Sequence, residues 1–180
     1  RNYTAAAEAF RKSGEANNTV ESLVRLADSL YMQGDYPQAF AYYKQSLDRV
    51  HEIGAVIASL NGAANSAYYQ GNYEEALKYY ERSATIQKTL PDKIGLANAF
   101  KGIANVHRSR GDYPAALENY FLSLKLFEEA KAPAGTILGS IGLVRALQGD
   151  FPRALEYYDK ALTEFESNAN KIDTARTFSL

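Results

Sequence analysis

The sequence has no cysteine and only two histidines. The first absence removes disulfides, thiolate zinc sites and cysteine nucleophiles together. The second leaves His51 and His107 without another histidine or a carboxylate at metal-ligand spacing, so no metal site is expected. Neither sign of charge is in excess: 20 Lys and Arg face 21 Asp and Glu, giving a net charge of −1 and a pI near 6.2. No basic field exists to hold nucleic acid or an anionic membrane, and neither is expected as a partner. No apolar run approaches the roughly 18 to 20 residues that cross a bilayer, and no charged start followed by an apolar core marks a signal peptide. Glycines stand singly rather than in the rich loops that cradle phosphates. No set of nucleophile, base and orienting group can be assembled, so neither catalysis within these residues nor a cofactor is expected.

What is present is a core-forming composition, 46% apolar and 23% charged over 180 residues, sufficient for one ordinary soluble domain. Composition assigns no compartment. The chain opens at Arg1 without methionine and stops at Phe178-Ser179-Leu180 without a stop signal. It reads as an excised piece, and any enzymatic or membrane portion of the parent would lie elsewhere.

One phrase recurs four times: Gly34-Asp35-Tyr36-Pro37, Gly71-Asn72-Tyr73-Glu74, Gly111-Asp112-Tyr113-Pro114 and Gly149-Asp150-Phe151-Pro152. The spacings are 37, 40 and 38 residues. Apolar residues follow each phrase at helical spacing, as in Phe151, Ala154, Leu155, Tyr158, Ala161 and Leu162. A second periodic stretch precedes it, as in Leu23, Leu26, Ala27 and Leu30. Each unit is therefore helix, turn, helix. The glycine can end the first helix in the left-handed conformation, and the following Asp or Asn can accept backbone N–H groups where the second begins. Pro37, Pro114 and Pro152 fall in the first turn of that helix, where a missing N–H costs nothing. Ala39, Ala76, Ala116 and Ala154 recur where two helix axes about 8 to 10 Å apart exclude larger side chains.

Glycine, Asp or Asn, an aromatic residue, alanine three positions on, tyrosine four later and then Ala or Ser resembles the tetratricopeptide repeat. The resemblance covers nearly the whole chain, with Asn2-Tyr3, Ala6, Phe10 and Ser13 similar to the second helix of a truncated unit. It departs at the first helix, where the usual aromatic is Leu23, Leu60, Phe100 or Leu138, and the facing small residue is Ala27, Ala64, Ala104 or Gly142. The units exceed the family's usual length of about 34 residues, through stretches containing Pro91 and Pro133. This is similar to the longer-repeat branch of kinesin light chains, LGN/Pins cell-polarity adaptors and Rap-type bacterial quorum-peptide receptors. The resemblance implies an all-α fold, a right-handed α-solenoid of antiparallel hairpins. The expected division is a second helix over 1–16, complete repeats over 19–52, 55–90, 93–131 and 134–168, and the start of a further helix over 171–180.

Stacked hairpins curve into a superhelix, and the resemblance implies a concave groove lined by the first helices. Asn61, Asn65 and Tyr68 share one face of such a helix, offset by one residue from Leu60, Ala64 and Ala67. Asn98, Lys101, Asn105 and Arg108 do the same beside Phe100, Ala104 and His107, and the first hairpin offers Asp28 and Tyr31. Asparagine can donate to and accept from the main chain of an extended peptide, while Lys101 and Arg108 suit an acidic residue. Asn65 and Asn105 stand equally far before their glycines, a recurrence that packing is not expected to require. The plainer alternative, simple solvation, weighs equally for Asn61, Asn98 and Lys101.

In the fourth hairpin the position holds Leu143, with Gly139 and Leu147 beside it, and the face turns apolar. This end would bind a hydrophobic side chain or lie under a further hairpin. Of the tyrosine pairs, Tyr42-Tyr43, Tyr79-Tyr80 and Tyr157-Tyr158 are read as packing residues, and Tyr68-Tyr69 as reaching the groove. His107 is read as packed and hydrogen-bonded, and Glu74-Glu75 and Glu128-Glu129 as solvated. The leading function is a protein or peptide-binding scaffold, its ligand plausibly acidic. Two alternatives stand beside it: a regulatory segment of a larger bacterial signalling protein, and self-association through exposed repeat ends.

Overall fold

The computed structural model describes residues 19–177, with side chains through 168. The helix expected over 1–16 and the last three residues lie outside the described residues. Within them the chain is all α-helical: α1 (Val20–Met32), α2 (Tyr36–Leu47), α3 (Ile53–Tyr69), α4 (Tyr73–Gln87), α5 (Lys93–Ser109), α6 (Tyr113–Glu129), α7 (Gly135–Leu147) and α8 (Phe151–Thr177). Two compact units divide it, Arg1–Leu90 and Pro91–Leu180. In the first, α1 pairs with α2, α2 with α3, α3 with α4, and α1 also touches α3. In the second, α5 pairs with α6, α6 with α7 and α7 with α8.

The recurring phrase builds each hairpin turn. Gly34, Gly71, Gly111 and Gly149 have φ between 78° and 83°, a left-handed conformation in which a side chain would strain the backbone. That geometry lets the following residue donate back into the helix just ended: Asp35 N to Leu30 O, Asn72 N to Ala67 O, Asp112 N to His107 O and Asp150 N to Arg145 O, all at 2.9 Å. Asp35, Asp112 and Asp150 then accept the N–H of the residue three positions on, at 3.2, 3.3 and 3.4 Å, and start the second helix. Asn72 makes no such side-chain bond.

Ala39, Ala76 and Ala116 are wholly buried and Ala154 nearly so, which is what close helix crossing demands. In the first unit Ser46 Oγ donates to Ser59 Oγ at 2.7 Å and ties α2 to α3. Gly62 of α3 lies under the Tyr43 ring, where a Cβ would stand 2.4 Å from its Cε1. The second unit packs Tyr120, Leu117 and Phe127 of α6 against Ile137, Ile141 and Val144 of α7, and Ser123 Oγ donates to Ala97 O at 2.8 Å.

One boundary is corrected. α8 continues to Thr177, so there is no break near 169 and no separate helix beginning at 171. The stretch Glu166 to Lys171 carries neither glycine nor proline, whereas Pro91 and Pro133 stand in the junctions ahead of α5 and α7. No helix among the described residues is long and apolar enough to cross a membrane.

Candidate functional site

On three of the four first helices, the position six residues before the turn glycine meets the same tyrosine of the second helix. Tyr43 Oη donates to Asp28 Oδ1 at 2.5 Å, Tyr80 Oη donates to Asn65 Oδ1, and Tyr120 Oη donates to Asn105 Oδ1 at 2.5 Å. Burial raises the Tyr43 and Tyr80 hydroxyls above the ordinary phenol range, reinforced at Tyr43 by its bond to Asp28. Both therefore remain donors. The recurrence of Asn65 and Asn105 thus has a packing cause, contrary to the expectation from sequence: each closes its own hairpin with a hydrogen bond. The fourth hairpin puts Leu143 at this place, and Tyr158 has no acceptor there. What the bonds leave over is the Nδ2 amide of Asn65 and of Asn105, which meets no acceptor among the described residues.

In the first unit, Glu21, Val24, Asp28 and Tyr31 recur along one face of α1, and Ala58, Asn61, Asn65 and Tyr68 along one face of α3, at the same helical intervals. At one end Val20, Val24, Val50, Ala55 and Ala58 line an open groove of about 510 Å³, rimmed by Glu21, Arg25, His51 and Glu52. In the middle, Asn61 Oδ1 is buried with no donor among the described residues, a costly state for an amide oxygen. At the other end five tyrosines meet. Tyr36 and Tyr69 stack with centroids 4.9 Å apart, and Tyr31 lies edge-on to both at 5.4 and 5.8 Å. Tyr68 meets Tyr69 at 5.2 Å and Tyr73 at 5.9 Å. Burial, with Tyr69 beside it, pushes the Tyr31 hydroxyl well above the usual range.

Sequence reasoning had named Asn61, Asn65, Tyr68 and Tyr31, and the fold brings them onto one surface. It missed the groove, signalled only by small residues at the start of α3 and by three valines. It placed Tyr68-Tyr69 at the concave groove but missed Tyr36 and Tyr73 as their partners.

In the second unit Asn98, Lys101, Asn105 and Arg108 share a face of α5. Asn98 is exposed, while Lys101, Asn105 and Arg108 are half-buried. Burial lowers the Lys101 pKa below that of an ordinary lysine, and neither Lys101 nor Arg108 has a carboxylate partner among the described residues. Lys93 of the same helix is paired instead, with Glu129 at 2.8 Å. His107 is part-buried, its Nδ1 3.3 Å from Asp112 Oδ2, and belongs to the turn. Among the described residues no three His, Asp or Glu side chains gather as a metal site would require.

A model described as tetratricopeptide repeat matches residues 1–50 and 56–130, and a second of the same description matches residues 101–169. Among solved structures the chain is similar to the apo form of RapI, with 19% identity and a TM-score of 0.84 over 98% of this chain and 69% of that one. It is also similar to MamA, with 20% identity and a TM-score of 0.71 over 93% of this chain and 91% of that one. A Rap protein complexed with Competence and Sporulation Factor shows 20% identity and a TM-score of 0.76 over 93% of this chain and 51% of that one. At such identities the likeness is one of fold. A comparison with curated protein sequences finds no match.

Proposed function

Because the chain belongs to the tetratricopeptide repeat family, we propose that it is a non-catalytic scaffold whose first-helix faces hold a segment of another protein or a peptide. The reading is carried by hydrogen-bonding groups on those faces that the fold itself does not use. Among the described residues, Asn61 Oδ1 is buried without a donor, and the Nδ2 amides of Asn65 and Asn105 meet no acceptor. An extended peptide supplies N–H and C=O groups at the right places for such side chains, with no demand on its sequence. Lys101 and Arg108 add attraction for an acidic ligand residue, so such binding weakens with salt. A Rap protein of this fold, solved complexed with Competence and Sporulation Factor, supports a ligand-binding role.

The test must respect the tyrosine bonds. Asn65→Asp and Asn105→Asp keep an acceptor for Tyr80 and Tyr120, as Asp28 does for Tyr43, while removing the free donor. Neutral peptides selected from a random library by the wild-type chain should lose about threefold to tenfold in affinity with either change, and with Asn61→Ala. Affinity unaltered by all three would overturn the assignment.

A second reading, self-association, rests on a different observation. Leu117 and Phe127 of α6 are 7% and 8% exposed, while their equivalents on α8, Leu155 and Phe165, are 63% and 49% exposed. We propose that this α8 face pairs with a like surface on a second copy. Sedimentation velocity should show an oligomer that Leu155→Glu with Leu162→Glu dissolves. A monomer at every concentration excludes it.

A further inference from the structure

The tyrosine cluster of the first unit exceeds what the hairpin turn requires. Tyr31 and Tyr68 correspond in the second unit to Arg108 and Ala146, and Tyr69 to Ser109, counted from the turn glycines. The turns at Gly111 and Gly149 keep the same φ and the same backbone bonds as those at Gly34 and Gly71. Tyr31, Tyr68 and Tyr69 are therefore additions to the repeat. They are also not hidden, since Tyr69 remains 55% exposed although stacked on Tyr36.

The charge around them has one sign. α3 contains no Asp, Glu, Lys, Arg or His. On α1, Arg25 is bound to Glu21 at 2.7 Å, which among the described residues leaves Asp28, one turn before Tyr31, as the unneutralised charge of this face. Aromatic faces carry negative potential, and a carboxylate beside them adds to it. The surface is thus arranged for a cation. Of the natural cationic side chains, arginine suits it better than lysine, because a guanidinium is planar, weakly hydrated and able to stack on a ring.

We propose that Tyr31, Tyr36 and Tyr69 form a subsite for an arginine side chain of the bound peptide, its guanidinium stacked on the exposed Tyr69 ring and Asp28 supplying the counter-charge. The inference rests on the peptide-binding reading and names what one end of the first-unit face selects. A proline-rich segment could also lie on tyrosines, but it would gain nothing from Asp28.

The test uses the full chain and four short capped peptides: one carrying two arginines in a glycine background, and its citrulline, lysine and proline counterparts. Affinity is read by calorimetry, and contact by the ring signals of carbon-13-labelled tyrosine. The arginine peptide should bind, and the citrulline substitution or Tyr69→Ala should weaken it by about fivefold or more. Asp28→Asn, which keeps the acceptor for Tyr43, should weaken it less. Lys125→Ala, an exposed position of α6 in the other unit, should leave it unchanged. Tyr69 is exposed enough for its loss to spare the fold, which a thermal melt verifies.

Equal binding of the citrulline or lysine peptide, tighter binding of the proline peptide, or indifference to Tyr69→Ala would each overturn the proposal. Failure of the asparagine variants to affect library peptides, with arginine binding intact, would instead sink the main-chain reading and leave this subsite standing.

Discussion

The two units are built from one phrase yet present opposite chemistries. On the first, α1 and α3 offer tyrosine rings, an apolar groove and the carboxylate Asp28. On the second, α5 offers Lys101 and Arg108, which have no carboxylate partner among the described residues. Their turns nevertheless share the same backbone bonds, and three of the four hairpins share the tyrosine-to-Asp/Asn bond. The positions that make a hairpin are thus held by packing, and the positions one residue off the buried stripe are free to differ. The proposed ligand preference rests on that second set.

The sharpest way to probe the comparison is through one helical glycine in each unit. Gly62 of the first unit touches the Tyr43 ring, whereas Gly139 of the second has nothing within 4 Å of a Cβ placed there. Gly62→Ala should destabilise the chain by about 1 to 3 kcal/mol through overpacking, and Gly139→Ala should stabilise it by roughly 0.5 to 1 kcal/mol through helix propensity. Denaturant midpoints decide it. Equal effects would mean that the two helices are packed alike.

Next in size is the hydroxyl bond present in three hairpins and missing from the fourth. Tyr120→Phe orphans Asn105 Oδ1 and should cost about 1 to 2 kcal/mol, with Tyr80→Phe similar. Tyr158→Phe, opposite Leu143, should change thermal stability by less than about 0.5 kcal/mol. A comparable loss at Tyr158 would show that the hydroxyls contribute little and the rings everything.

The smallest effect on stability, and the most telling for function, comes from giving the second unit the first unit's residue. Lys101 occupies the place that Val24 holds on α1, ten residues before the turn glycine. Lys101→Val removes a half-buried ammonium, so stability should hold or rise slightly while affinity for an acidic peptide falls about threefold to tenfold. Because burial lowers the folded-state pKa of Lys101, the folded chain sheds this proton before the unfolded chain does. The burial cost therefore fades as pH rises through the alkaline range, and acidic-peptide affinity should weaken over that range, below the pH expected for an ordinary lysine. A wild-type pH profile matching that of Lys101→Val would remove Lys101 from the site.

Legibility differed by kind of position. The helices, the turn glycines and the alanines at helix crossings were readable because each obeys a local rule that repeats. The end of the last repeat was misread because nothing local decides between a continued helix and a new one when glycine and proline are both missing. Asn65 and Asn105 were found for a reason the fold corrects: their spacing records a bond to Tyr80 and Tyr120, and only the unused half of each amide is left for a ligand. The tyrosine cluster was half visible, since Tyr31 and Tyr68 stood on the named faces while Tyr36 and Tyr73 were read only as turn residues.

By itself the sequence determined that this chain is all-α, that it repeats as hairpins, and where each hairpin turns, because backbone conformation and helical periodicity depend on neighbours a few residues apart. Tertiary structure alone decided which polar groups remain unspent. That depends on residues fifteen or more apart, Tyr43 with Asp28 and Tyr36 with Tyr69, whose meeting follows from how one helix lies against the next.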